Sequence, residues 1–175
     1  MIRKVGLMKR RIAVFVLVVF VGLGLAAEEG PFADPEALVT GVYGAVSGSF
    51  AEQPDWDFIR SHFDPAALIV LRSSREGSTV HNVDGFIKDF TDFYGRISEA
   101  EGFKETVVSV RSLVYGNMAH AYVVYEAQIL GDDRPPQRGL DSWHLVKKDG
   151  RWWVISIVND SEPTSGPIPE EAFAD

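Results

Sequence analysis

The sequence predicts an α+β fold, with helices first and a long antiparallel meander after them. Capped segments with apolar residues at helical spacing end near Ile97, and from Glu105 onward the pattern alternates with period two between short turns. Neither half shows an internal repeat or a low-complexity tract.

The first helix begins in "ADPEALVTGVYGAVSGSF". Asp34 stands as its cap, Pro35 takes the first helical position, and Val39, Tyr43, Val46 and Phe50 recur on one face. Gly41, Gly44 and Gly48 each weaken that helix by roughly 1 kcal/mol against alanine, a loss that close approach by a neighbouring segment would recover. "DWDFIRSHF" reads as a short second helix capped by Asp55. "AALIVLRSS" and "STVH" read as two short strands around the turn Arg75-Glu76-Gly77. Asn82 caps a third helix whose Phe86, Phe90, Phe93 and Ile97 form one apolar stripe. Strands follow from Glu105 to Tyr115 and from Met118 to Leu130, then the loop "GDDRPPQ" and a last hairpin turning at Lys147 to Gly150, where Asp-Gly favours a tight turn. The tail from 164 to 175 is expected to be extended.

Alternation assigns faces. Asp141, Trp143 and Leu145 are expected inside with Trp153, Ile155, Ile157 and Asn159. Ser142, His144, Val146, Trp152, Val154, Ser156, Val158 and Asp160 are expected outside. One strand earlier, Ala119, Ala121, Val123 and Tyr125 fall inside, and His120, Tyr122 and Glu126 outside. Trp152, Val154 and Val158, with Val146 beside them, would then form an exposed apolar strip. Such a strip is expected to pair two copies into a homodimer unless the tail, through Ile168 and Phe173, folds over it.

The N-terminus carries Arg3, Lys4, Lys9, Arg10 and Arg11, then an apolar run through "AVFVLVVFVGLGLAA" before Glu28. This is the pattern of a cleaved signal peptide, with small residues Gly24 and Ala26 placing the cut after Ala26 or Ala27. The rival, an uncleaved anchor, has about 15 apolar residues against the ~20 that span a bilayer. The division expected is 1–27 leader, 28–33 linker, 34–163 folded domain and 164–175 tail, with the mature chain secreted into a periplasm. Losing the leader's five positive charges takes the formal net charge from −8 to −13, which disfavours nucleic acid and anionic membranes as partners. The chain has no cysteine, so no disulfide supports the fold and no lipid anchors it at the cleavage site. His62, His81, His120 and His144 are scattered, without HxH or HExxH spacing, and neither metal nor cofactor is expected.

Helices, a short hairpin, then a meander ending in "DGRWWVISI" resemble the nuclear transport factor 2-like superfamily, and most of all its SnoaL-like branch. "FDPAALIVLRS", "NVDGFIKDF", "GNMAHAYVVYEAQ" and "RGLDSWHLVKKDGRWWVISI" carry the resemblance across most of 34–163. It implies a cone, in which a strongly curved antiparallel sheet wraps the N-terminal helices around an apolar pocket. It implies no single activity, since isomerases, dehydratases and non-catalytic members share the fold. "LDSW" resembles the strand on which ketosteroid isomerases carry an oxyanion-hole aspartate, which makes Asp141 the matching position, with Tyr43 as a second donor. Where those enzymes hold their general base, however, this chain has Leu71 and Arg72.

Catalytic candidates are therefore Asp141, His81 and Tyr43. The expected ligand-binding set is Tyr43, His81, Phe90, Tyr125, Asp141, Trp143, Trp153 and Asn159. Three readings follow: binding of a small apolar molecule without catalysis, an isomerase- or dehydratase-type acid-base enzyme using Asp141 with Tyr125, Tyr43 or His81, and a protein-interaction subunit.

Overall fold

A computed structural model describes residues 30, 32–72 and 74–173. The expected leader lies outside these residues. Helix α1 (Pro35–Ala45) starts where the Asp34 carboxylate accepts the amides of Glu36 and Ala37. Its Leu38, Val39, Val42 and Tyr43 are buried. Val46 closes the helix, earlier than the apolar spacing implied, so Phe50 lies beyond it and is exposed. The chain turns here because β1 (Gly48–Ser49) pairs with Gly102–Phe103. A Cβ on Gly102, whose φ is +157°, would stand 2.4 Å from the Gly48 carbonyl oxygen. The anticipated close approach thus falls on Gly48, whereas Gly44 faces open space.

Helix α2 (Trp56–Arg60) is capped by Asp55, and α3 (Val83–Arg96) by Asn82 through the Gly85 amide. Between them, β2 (Phe63–Arg72) and β3 (Ser78–His81) pair antiparallel. Strands β4 (Gly102–Tyr115), β5 (Met118–Leu130), β6 (Gln137–Lys148) and β7 (Arg151–Ser161) form the meander. The described residues make one curved seven-stranded sheet, ordered β1-β4-β5-β6-β7-β2-β3, in which only β2 against β7 runs parallel. The buried side of α1 packs on the inner face of this sheet with Ala121, Val123, Trp143 and Leu145.

The last hairpin turns at Asp149 and Gly150, both with positive φ. Asp141 faces Asn159 and Trp143 faces Ile157, as alternation requires, but the register slips between His144 and Leu145. Ile155 is the extra residue. Leu145 therefore pairs with Val154, and the parity of β7 inverts toward the turn. Trp152 and Val154 become core, Trp153 leaves the inner face, and Ile155 is exposed. The expected inward positions of Trp153 and Ile155, and the exposed strip built on Trp152 and Val154, are both corrected by this one bulge. Trp153 instead lies under cations, with the Arg151 guanidinium 4.0 Å and the Lys148 ammonium 5.1 Å from its ring centre. Nor is the tail simply extended. It forms a turn of helix, α4 (Glu162–Ser165), then a 3-10 turn at Glu170–Ala172 that buries Ala172 and receives a hydrogen bond from Arg111 at the Glu171 carbonyl.

The bulge has a measurable consequence. Trp152→Ala should destabilise the protein by about 3–5 kcal/mol, the cost of emptying a buried tryptophan site. Trp153→Ala should cost about 1 kcal/mol, because its ring is half-buried and meets the Arg151 and Lys148 cations rather than the core. Denaturant unfolding of both variants would expose a wrong register by giving equal losses.

Candidate functional site

A cavity of about 490 Å³ opens between α1, α3 and the inner face of the sheet. Its walls are aromatic: Phe86, Phe90 and Phe93 from the stripe on α3, with Phe103 from β4. Helical spacing put the first three on one side, and α3 turns that side toward the sheet.

At its floor, α1, β5, β6 and β7 bring four polar side chains together. The Tyr43 hydroxyl donates to Asp141 Oδ2 at 2.6 Å, and the Trp143 indole donates to the Tyr43 oxygen at 3.2 Å. Asn159 donates from Nδ2 to Asp141 Oδ1 at 2.7 Å and to the Tyr125 hydroxyl at 2.8 Å. The direct pairing of Asp141 with Asn159 across β6 and β7 sets the second of these contacts. Tyr125 pairs with Gly139, where any Cβ would stand 2.2 Å from the tyrosine oxygen. Only glycine lets that ring lie across β6 toward Asn159. Burial pushes the Asp141 carboxyl up to about 6, against the hydrogen bonds from Tyr43, Asn159 and Trp143, which favour the anion. Burial, and then the Asp141 charge, raise the Tyr43 and Tyr125 hydroxyls well above their ordinary range.

A second carboxyl, absent from the candidates read in the sequence, lines the same cavity. Glu105 follows Phe103 by two residues on β4 and shares its face, so strict alternation in "GFKETVV" was the available signal. Its charge disguised it as a surface residue. Ser47, just past α1, holds it in place: Ser47 Oγ donates to the Tyr43 carbonyl at 2.8 Å and accepts the Glu105 amide at 2.8 Å. Burial first, and the Asp141 charge second, push the Glu105 carboxyl from an ordinary 4.5 to about 8. Tyr94, whose hydroxyl donates to the Val46 carbonyl at 3.0 Å, is raised to about 12 by burial and then by Glu105. Of these two carboxyls, Glu105 therefore holds its proton to the higher pH and Asp141 is the first to ionise.

The cavity lining brings together Tyr43, His81, Phe90, Tyr125, Asp141, Trp143 and Asn159 of the expected set. Trp153 is not among the lining residues, because the bulge turns it away. His81 ends β3 and is half-buried at the wall, near the Gly85 backbone. Leu71, on β2, contributes only apolar surface there. The other histidines are remote from the floor. His62 is buried between Phe32 and Phe58, with Nδ1 donating to the Phe58 carbonyl at 2.9 Å, and burial lowers its pKa. His120 and His144 stack on the outer face at 4.6 Å, as alternation placed them.

No protein-family model matches the sequence, and no curated protein matches it either. Solved structures do match. One is a candidate calcium/calmodulin-dependent protein kinase type II association domain from Thiobacillus denitrificans, 14% identical over 76% of this chain and 98% of that one, with a TM-score of 0.58. Another is a nuclear transport factor 2-like protein of unknown function from Pseudomonas putida, 11% identical over 79% and 88%, at 0.57. A third is a candidate scytalone dehydratase from Novosphingobium aromaticivorans, 12% identical over 72% and 80%, at 0.53. At such identities the likeness is one of fold.

The raised carboxyl of Glu105 bears on stability with a definite sign. Between about pH 4.5 and 8 the folded chain keeps a proton on Glu105 that the unfolded chain releases, so stability falls as pH rises through that window. Glu105→Gln removes the loss. It should stabilise the protein by on the order of 2–3 kcal/mol at pH 7 and by almost nothing at pH 4.5. Thermal unfolding across that range reads the difference, and a gain independent of pH would mean that the cavity does not hold the proton.

Proposed function

We propose, for a chain whose fold is that of nuclear transport factor 2-like proteins, that the cone binds a small, largely apolar molecule which presents a polar group to the floor. The observation that carries this reading is the Tyr43–Asp141–Asn159–Tyr125 network set at the base of aromatic walls. Apolar surface supplies affinity in such a site, and a few convergent polar atoms supply orientation. Mass spectrometry of small molecules retained by the purified protein identifies the occupant. With that molecule in hand, Asp141→Asn should weaken binding at least tenfold, because the amide cannot accept from both Tyr43 and Asn159. His144→Asn, on the outer face, should change it less than twofold. Equal effects in calorimetry would sink the reading.

Acid-base chemistry on that molecule is a second reading, and Glu105 is the observation that favours it. Two carboxyls whose surroundings separate their proton affinities can divide the roles of acid and base. Glu105, protonated, would donate to an oxygen of the substrate, while Asp141, ionised, would accept a proton. The candidate scytalone dehydratase of similar fold bears a name compatible with such a reaction, though that name speaks for that protein alone. If the chain turns its ligand over, kcat/KM should rise through about pH 6, as Asp141 ionises, and fall through about pH 8, as Glu105 does. A flat profile between pH 5 and 9 would remove the pair from the chemistry.

A further inference from the structure

Asp141 and Glu105 share one cavity but not one environment. Both oxygens of Asp141 are met by donors, Tyr43 on one and Asn159 on the other. The Glu105 carboxyl has no hydrogen bond and no ion pair among the described residues, although its backbone is tied down by Ser47. A half-buried carboxyl with no protein donor is free to accept one from whatever occupies the cavity beside it.

Titratable and charged groups reach this space from every element around it: Tyr43 on α1, Arg72 on β2, His81 on β3, Tyr94, Asp89 and Arg96 on α3, Tyr125 on β5 and Asp141 on β6. Arg72 donates from one terminal nitrogen to the Arg75 carbonyl, while its buried Nε stands 4.0 Å from Asp160 with no hydrogen-bond partner among the described residues; Arg96 is exposed, its guanidinium 6.0 Å from the centre of the Phe93 ring. The Glu105 carboxyl is pushed up by burial first and by the charge of Asp141 second. Much of the rest of the lining is aromatic, the rings of Phe86, Phe90, Phe93 and Phe103. Aromatic faces attract cations, and more strongly away from water. A cation bearing N–H groups would supply the donor that the Glu105 carboxyl lacks and would lie against those rings.

We propose that the ligand of the cavity is a protonated primary or secondary amine on an aromatic or alicyclic body, with its N–H groups donating to Glu105. This rests on the reading of the cone as a small-molecule site and specifies the class of molecule. The ammonium lies among the phenylalanines, and a quaternary ammonium, having no N–H, fits less well. Binding drives Glu105 to ionise and so expels a proton.

The test is calorimetry with the full chain and three matched probes: 1-naphthylmethylamine, 1-naphthylmethanol and 1-naphthoate, with benzylamine, cyclohexylamine and their alcohols and acids as smaller sets. The amine of a set should bind at least tenfold more tightly than its alcohol and acid. Its enthalpy should depend on the buffer in the sense of proton release, and its affinity should rise from pH 6 to 8. Glu105→Gln should lose tenfold or more in amine affinity together with the proton release, and leave the alcohol within about twofold. His144→Asn should leave amine affinity unchanged. An alcohol or acid binding as tightly as its amine, amine binding without proton release, or an unaltered affinity in Glu105→Gln would overturn the inference and leave the small-molecule reading standing. Failure of all amines while alcohols bind overturns the amine alone, and failure of every probe overturns both.

Discussion

A carboxylate held inside an apolar cone needs donors, and the 2.6 Å hydrogen bond from Tyr43 to Asp141 is the one on which the arrangement around it depends. Removing a charge from water costs several kcal/mol unless its lone pairs are met. Tyr43 comes from α1 and Asn159 from β7, with Asp141 on β6 between them, so satisfying one side chain ties a helix to two strands. The tie extends to β5 through Asn159 and Tyr125, and Trp143 steadies the tyrosine from the adjacent inward position on β6. The carboxyl emerges with its ionisation opposed by burial and supported by three donors, which leaves it at about 6 rather than far above.

Backbone irregularities make the space in which this happens. Gly139 clears the path of the Tyr125 ring, and the Gly48–Gly102 approach ends α1 and brings β4 against it. The bulge at Ile155 divides β7 into two uses. Ile157 and Asn159 stay with the cavity, whereas Trp152 and Val154 close the core below the turn. A strand of perfect alternation could not serve both with its two tryptophans adjacent.

Glu105 and Asp141 show how support, not residue type, decides ionisation. Asp141 has its donors and ionises first, while Glu105 has none at its carboxyl and holds its proton longer in the field of the other. Ser47 sets that contrast by locking the backbone of Glu105 to the end of α1 and leaving the side chain to the cavity. Whether the cavity binds or also transforms its occupant, this pair offers it one carboxyl braced by donors and one without them.

Much of this was written in local pattern. Caps at Asp34, Asp55 and Asn82, the turn at Asp149-Gly150, the helical stripe and the inward parity of Asp141, Trp143 and Tyr125 depend on neighbours within a few residues, and the sequence alone determined them, with the α+β order they imply. The resemblance to nuclear transport factor 2-like proteins carried the sheet around the helices. Three things waited for the tertiary structure. The bulge reversed Trp152 and Trp153 because a strand's parity is set by the partner it pairs with, not by its own residues. Phe50 left α1 because Gly48 had a strand to join. Glu105, polar at an inward position, looked like an ordinary surface acid until α1 and α3 were placed over it, since a carboxyl's burial and proton affinity belong to groups distant in the chain and brought near only by folding.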